Sequence, residues 1–227
     1  MLSIDQGIGT VYKTTKTVTP KITTTYTLTA TNSAGSTSAA ATVTVTAIVP
    51  PPPPPPPSPG EINIQAYTTS YSYWDNTPPG SAAISDPVLH QQAGGTGTYD
   101  YPITLAVGHS IINNVDILDY PAGTRFYIPN VRRYFIVEDT CGDGRTPQNG
   151  PCHTGYPSGT TAWVDMWMDG QSGTQSAVDA CASFLTDSNG VAHLIVENPA
   201  ANYVVVPGAL FQEGTCTAQY GNTLVTQ

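Results

Sequence analysis

The sequence predicts an all-β protein, a small β-barrel with one or two short helices, and three observations lead there. Charged residues are only 10% of the 227 positions while Gly and Pro number 21 each, a turn-rich, charge-poor composition foreign to helical bundles and coiled coils. Short runs with apolar residues at every second position recur along the chain, the period of a half-buried strand. Turn clusters such as Pro78-Pro79-Gly80, Ala93-Gly94-Gly95-Thr96-Gly97 and Asp187-Ser188-Asn189-Gly190 separate those runs. The apolar stretches break off after a few residues, and none approaches the roughly 20 needed for a transmembrane helix, so no membrane partner is expected.

Three parts follow one another. In residues 1–48, Ile22, Tyr26, Leu28 and Ala30 share one face of a strand that ends at Asn32-Ser33-Ala34-Gly35, and Ser36 to Ala47 alternates again through Val43 and Val45. The two runs read as a β-hairpin. The series Thr25-Tyr26-Thr27-Leu28-Thr29-Ala30-Thr31-Asn32 and Gly35-Ser36-Thr37 resembles the last strands of bacterial immunoglobulin-like modules. That resemblance implies a partial immunoglobulin-like segment with an uncovered inner face, marginally stable and serving as a spacer or adhesion module. Residues 49–60 form a linker around the eight prolines Pro50 to Pro57. Such a run adopts extended polyproline II, about 25 Å long at roughly 3.1 Å per residue, and makes a stiff spacer.

Residues 61–227 are long enough for a core of their own. Strands are expected at Ile62 to Trp74, Ile103 to Val107, Arg125 to Ile128, Tyr134 to Glu138, Ala162 to Met168, Leu194 to Val196 and Tyr203 to Val206. One helix is expected over Ser176 to Leu185, where Ala177, Val178, Cys181, Phe184 and Leu185 recur at helical spacing.

Charge narrows the partners. All three lysines precede the proline tract, and residues 62–227 hold 14 Asp and Glu against four Arg, near −10 in net charge. A phosphate-tracking groove is incompatible with that balance, which excludes nucleic acid. Cys141, Cys152, Cys181 and Cys216 include no Cys-x-x-Cys pair, so an even count reads as two disulfides and an oxidising, secreted or cell-surface location. Three pairings are open to four cysteines, and the sequential one, Cys141 with Cys152 and Cys181 with Cys216, is the one expected. The start Met1-Leu2-Ser3-Ile4-Asp5 has neither a basic nor an apolar leader segment, so the chain reads as a piece of an exported protein. It is expected to act as a monomer.

The chemistry concentrates on two segments. In Ala162 to Asp169 strand alternation puts Ala162, Val164, Met166 and Met168 on a core face and Trp163, Asp165, Trp167 and Asp169 on the other. Indoles stack on the C–H face of a sugar, and carboxylates act as acid or base on a glycosidic bond. In Tyr67 to Asp75 the odd positions place Tyr67, Tyr71, Tyr73 and Asp75 on one side, beside Trp74, and Asn76 to Gly80 forms a turn that holds Asp75 at a strand end. His90 and His109 end apolar runs. A hydrogen-bonding or substrate-contacting role, assigned to His90, is favoured over a metal site, so neither metal nor cofactor is expected. Gly94-Gly95-Thr96-Gly97 is followed by no Lys and opens no helix, so it is a turn and not a phosphate loop.

Taken in order, Tyr73-Trp74-Asp75, then Tyr134 to Cys141, then a cysteine loop and the strand Trp163-Val164-Asp165 resemble the double-psi β-barrels of family-45 endoglucanases, expansins, barwin-like proteins and rare lipoprotein A lytic transglycosylases. The resemblance covers about residues 62–216 and implies a six-stranded double-psi β-barrel. It also implies Asp75 as base and Asp165 as acid. Trp163 stands where the endoglucanases have a histidine, and Asn76 and Thr77 stand where they have vicinal cysteines. On this reading the protein is a secreted, carbohydrate-active glycoside hydrolase. It cleaves β-linked polysaccharide, cellulose or another β-glucan, by inversion across a carboxyl gap of about 6.5–9.5 Å. Tyr71, Tyr73, Trp74, Trp163, Trp167, Asp169 and His90 would contact the substrate. A non-catalytic, expansin-like polysaccharide-binding module and a lytic transglycosylase on peptidoglycan remain as alternatives.

Overall fold

Alternation in Thr24–Asn32 and Gly35–Val43 builds the expected hairpin, closed by the two residues Ser33 and Ala34 between Asn32 and Gly35. The computed structural model describes residues 1–12, 15–45, 60–142, 144–186 and 190–227, and the prolines Pro50 to Pro57 lie outside them. Two units are present, Met1–Pro53 and Pro54–Gln227. In the first, β1 (Leu2–Ile4) and β2 (Gly9–Thr10) extend the hairpin of β3 (Thr24–Asn32) and β4 (Gly35–Val43) into a four-stranded antiparallel sheet of order β2-β1-β3-β4. All nine residues of β4 are exposed, so this sheet keeps an uncovered face.

The second unit is a closed barrel of six strands: β5 (Ile62–Tyr71), β6 (Ile103–Val107), β9 (Arg125–Ile128), β10 (Arg133–Thr140), β11 (Ala162–Trp167) and β12 (His193–Glu197). A hairpin of β7 (His109–Ile112) and β8 (Val115–Leu118) is inserted between β6 and β9, and β13 (Phe211–Gln212) pairs with β14 (Thr215–Cys216) near the end. The barrel order is β10-β6-β11-β5-β12-β9, with β9 closing onto β10. Two of its pairs, β10 with β6 and β11 with β5, are parallel and the rest antiparallel, a mixed closed barrel consistent with the expected double-psi fold. Alternate residues fill the interior: Leu105, Val107, Phe126, Ile128, Phe135, Val137, Val164 and Ile195 are all fully buried. The opposite face of β9 and β10 carries Tyr127 and Tyr134 in a second cluster with Tyr203, whose ring stacks on Tyr127 at 4.6 Å. Tyr203 to Val206 was expected as a strand, but only an isolated bridge from Tyr203 to Thr226 forms there.

Two short helices are present among the described residues, the single turn α1 (Pro151–Thr154) and α2 (Gln175–Leu185). Thr174 caps α2 by accepting the amide of Ala177 at 3.3 Å, and Val178, Cys181 and Leu185 face the core. Phe184, expected on that stripe, is half exposed, which narrows the apolar face to one residue per turn. The disulfides are the sequential pairs Cys141–Cys152 and Cys181–Cys216, the second tying α2 to β14. No described helix is long and apolar enough to cross a membrane.

The Gly94-Gly95 turn packs so closely that a Cβ on Gly95 would lie 2.0 Å from the Pro102 carbonyl oxygen, at φ +109. Gly159 also has a positive φ, +90, but faces open space. Gly159→Ala should therefore cost about 1–2 kcal/mol from backbone strain alone, and Gly95→Ala distinctly more, about 3 kcal/mol or above. Equal losses in chemical denaturation would contradict this packing.

Candidate active site

The site is built on the parallel pairing of β5 and β11, which sets Tyr67 beside Trp163, Thr69 beside Asp165 and Tyr71 beside Trp167. Ala162, Val164, Met166 and Met168 turn into the core as alternation demands, while Trp163 and Asp165 stay half-buried on the other side. There the indole N–H of Trp163 donates to Thr69 Oγ1 at 2.8 Å, and the Thr69 hydroxyl donates to Asp165 Oδ1 at 2.6 Å. An indole can only donate, so the Thr69 proton is left for the carboxylate. Trp163 is steadied from behind by the edge of Tyr67, 4.8 Å away.

Trp163 and Asp165 line a cavity of about 580 Å³ together with Thr69, Tyr71, Asp75 and Asp139. Asp75 occupies the turn that follows β5. Its Oδ1 accepts the Ser72 amide at 2.7 Å and the Ser72 hydroxyl at 2.6 Å, and the Asn76 amide closes the turn on the Ser72 carbonyl. Asp139 comes from β10. Tyr71 donates its hydroxyl to Oδ2 at 2.8 Å, and Ser85 and Thr140 donate to Oδ1 at 2.9 to 3.1 Å. The Cys141–Cys152 bridge forms another part of the wall.

Three carboxyl groups thus share one cavity, and their surroundings differ. Burial pushes Asp165 up to about 7; the Thr69 hydrogen bond opposes this, and the charges of Asp75 and Asp139 add to it. Burial also raises Asp139, offset in part by the hydrogen bonds from Tyr71, Thr140 and Ser85. The Tyr71 phenol is held well above its ordinary value by burial and by Asp139, so it remains a donor. A carboxylic acid that keeps its proton near neutrality, set in a cavity with two further carboxyls, has the properties of a general acid.

Of the residues singled out in the sequence, Tyr71, Asp75, Trp163 and Asp165 come together in this cavity although 90 positions separate the two aspartates. Five others, Tyr73, Trp74, Trp167, Asp169 and His90, do not line it. β5 ends at Tyr71 because the Ser72–Asp75 turn takes over, so Tyr73 leaves the alternation and packs its ring on Trp74 at 5.8 Å. Trp74 donates its indole N–H to the Gly170 carbonyl. Trp167 is only 2% exposed, packed edgewise on Tyr71 at 5.2 Å, and it shares a separate cavity of about 120 Å³ with Asp169, Gly94, Gly95 and Ala209. Asp169, at φ 70, ends the strand pattern and accepts from Gln171. His90 is buried against Glu138, with Nδ1 and Oε2 2.6 Å apart, and His109 is held between Asp116 and the Gly142 carbonyl.

Thr69 and Asp139 join the site without having been singled out. Both are visible in the sequence, Thr69 inside the tyrosine-rich strand and Asp139 beside Glu138, but their roles arise from partners as far as 96 positions away. Among the described residues, no group of three or more His, Cys, Asp and Glu is disposed to hold a metal ion.

Residues 63–217 match the family model described as the DDB_G0273701 N-terminal domain, a span that includes every residue of the cavity named above. A Dictyostelium discoideum relative, named as uncharacterized protein DDB_G0273701/DDB_G0273221, is 32% identical over 155 residues, 68% of this chain. The match spans 60% of that relative's length. No solved structure matches.

The raised carboxyl has a signature in stability. With Asp165 near 7 in the folded protein against 3.8 for the free group, the folded state binds the extra proton across that interval, so stability falls as pH rises through it. Asp165→Asn lacks this loss. Its melting temperature should gain on the parent progressively from about pH 4 to about pH 7 and level off above; a pH-independent difference would show that the Asp165 carboxyl is not raised.

Proposed function

The chain belongs to the family of the DDB_G0273701 N-terminal domain, and we propose that its barrel is a secreted, carbohydrate-active domain cleaving β-linked polysaccharide by acid–base catalysis. The observation that carries this reading is Asp165, raised to about 7 in a cavity that also holds Asp75. Asp165 gives its proton to the glycosidic oxygen as the bond to C1 breaks. Asp75, the exposed carboxyl, takes a proton from the water that attacks C1 from the opposite face, giving inversion. Thr69, fixed by Trp163, keeps the acid aimed and stabilises the carboxylate left after proton transfer. The resemblance to family-45 endoglucanases and expansins supports the same assignment, and the two disulfides fit an oxidising compartment.

The cavity also favours one class of polymer. Carboxyl groups line it, and among its described lining residues there is neither Lys nor Arg, so a polymer bearing carboxylates meets repulsion with no compensating cation. An uncharged β-glucan suits it better than peptidoglycan. A second reading, lytic cleavage with a sugar hydroxyl as nucleophile, needs only the acid, and it is favoured by the two hydrogen bonds that Asp75 accepts inside its own turn.

The test is product release from a soluble uncharged β-glucan. Asp165→Asn should lower the rate at least about 10²-fold, and activity in the parent should disappear as pH rises through about 7, where Asp165 loses its proton. Asp75→Asn should match that loss if water is the nucleophile, and spare the rate with anhydro-ended product if the lytic reading holds. Full activity in Asp165→Asn removes the acid assignment, and tight retention on polysaccharide without any product makes the barrel a binding module.

A further inference from the structure

A second cavity shares a wall with the first. It encloses about 320 Å³ and is lined by Asp119, Tyr120, His153, Tyr156 and Trp163, within the range of about 300–1,000 Å³ usual for ligand pockets. Trp163 lines both cavities, and so does the single turn α1, through Cys152 in the first and His153 in the second. One indole and one helical turn therefore separate the carboxyl site from a neighbouring hollow.

The contents of that hollow differ in kind from those of the first. Two tyrosines and the indole supply flat apolar surface, Tyr156 being 37% exposed. His153 Nδ1 meets Asp119 Oδ1 at 2.5 Å, and both side chains stay partly open to solvent. The Asp119 backbone is fixed by its amide donating to the Gly108 carbonyl at 2.8 Å. Gly108 is what lets the carboxylate sit there, because a Cβ at that position would come within 2.4 Å of Asp119 Oδ2. Aromatic faces next to a hydrogen-bonding pair suit a pyranose, which is apolar on its C–H face and ringed by hydroxyls. Among the described residues lining this cavity there is again neither Lys nor Arg, which disfavours a phosphate or carboxylate ligand.

We propose that this cavity is a second sugar subsite, which holds a neighbouring residue of the same uncharged β-glucan chain, with the chain crossing Trp163 between the two. The proposal rests on the polysaccharide reading of the first cavity and adds a direction: the polymer runs from Asp75 past Asp165 and Trp163 towards His153 and Tyr156.

The experiment measures binding of β-1,4-linked glucose oligomers of increasing length by calorimetry, on the full chain carrying Asp165→Asn to stop turnover. Affinity should rise about tenfold once the oligomer is long enough to pass Trp163, the gain expected from one added aromatic contact. Adding Tyr156→Ala should abolish that rise, and Tyr156→Phe, which keeps the ring, should restore it and show that the loop remains folded. A length-dependent rise that persists in Tyr156→Ala, or its absence before Tyr156 is altered, overturns the subsite while binding of short oligomers leaves the acid–base reading of the first cavity standing. Failure of every oligomer to bind overturns both.

Discussion

The in-register parallel pairing of β5 and β11 is the constraint on which the rest of the barrel's chemistry depends. Because side chains alternate along a strand, a slip of one residue would turn Asp165 into the core and expose Val164 and Met166. Burying each of those apolar side chains is worth about 1.5–3 kcal/mol, and Ala162 and Met168 reinforce the same phase. A charge-assisted hydrogen bond such as that from Thr69 to Asp165 is worth about 1.5–3 kcal/mol by itself. Summed over the strand, the apolar set outweighs it. The core fixes the register and the polar constellation is carried along, so the site is pre-arranged by packing and not by its own contacts.

Within that frame, the number of donors each carboxyl receives decides how its burial is answered. Glu138, fully buried, accepts the amides of Val88, Leu89 and His90, the ring of His90 and the hydroxyl of Thr104. Burial pushes it up, but these donors hold it below its ordinary value. Asp139, one residue further along β10 and across a register shift, receives four donors and remains raised. Among the described residues Asp165 receives the Thr69 hydroxyl alone, and it climbs to about 7. The first two are anchors: they tie the Ser85 to His90 loop onto the barrel, and Asp139 forms part of one wall of the cavity. The least supplied of the three, Asp165, is the one that burial carries up to about 7.

How far the sequence discloses this follows from the range of each interaction. The bounds of β6 and β9 coincide with the runs Ile103 to Val107 and Arg125 to Ile128, because buried residues and flanking turns mark both ends locally. The β7–β8 hairpin escapes the same reading: Ile112, Val115 and Ile117 are exposed, so no inside-outside contrast marks it, although the Asn113-Asn114 pair, both at positive φ, is a turn signal that could have. Asp75 and Asp165 were legible as candidates because each sits beside an aromatic at a strand or strand end. Trp167 misleads, since alternation describes a single strand while burial depends on what packs against it, here the edge of Tyr71 and the core cluster. Asp139 is illegible for the converse reason, its character being set by Tyr71 and Ser85 at 68 and 54 positions' distance.

Trp163 connects these points, since its indole N–H holds Thr69 against Asp165 while its ring lines both cavities. An imidazole beside the acid could accept or release a proton and so share the titration of the carboxyl. An indole can do neither; its single N–H is spent on Thr69, which in turn has one proton to give and directs it at Asp165. The chain of donors therefore has a fixed polarity, and the proton balance of the site falls on the three carboxyls of the cavity. The same indole gives the ring area that lines both hollows. A non-titrating neighbour and a flat apolar wall are thus two consequences of one residue: Asp165 is left to desolvation and its neighbouring carboxylates for its raised proton affinity, and one indole ring borders both cavities.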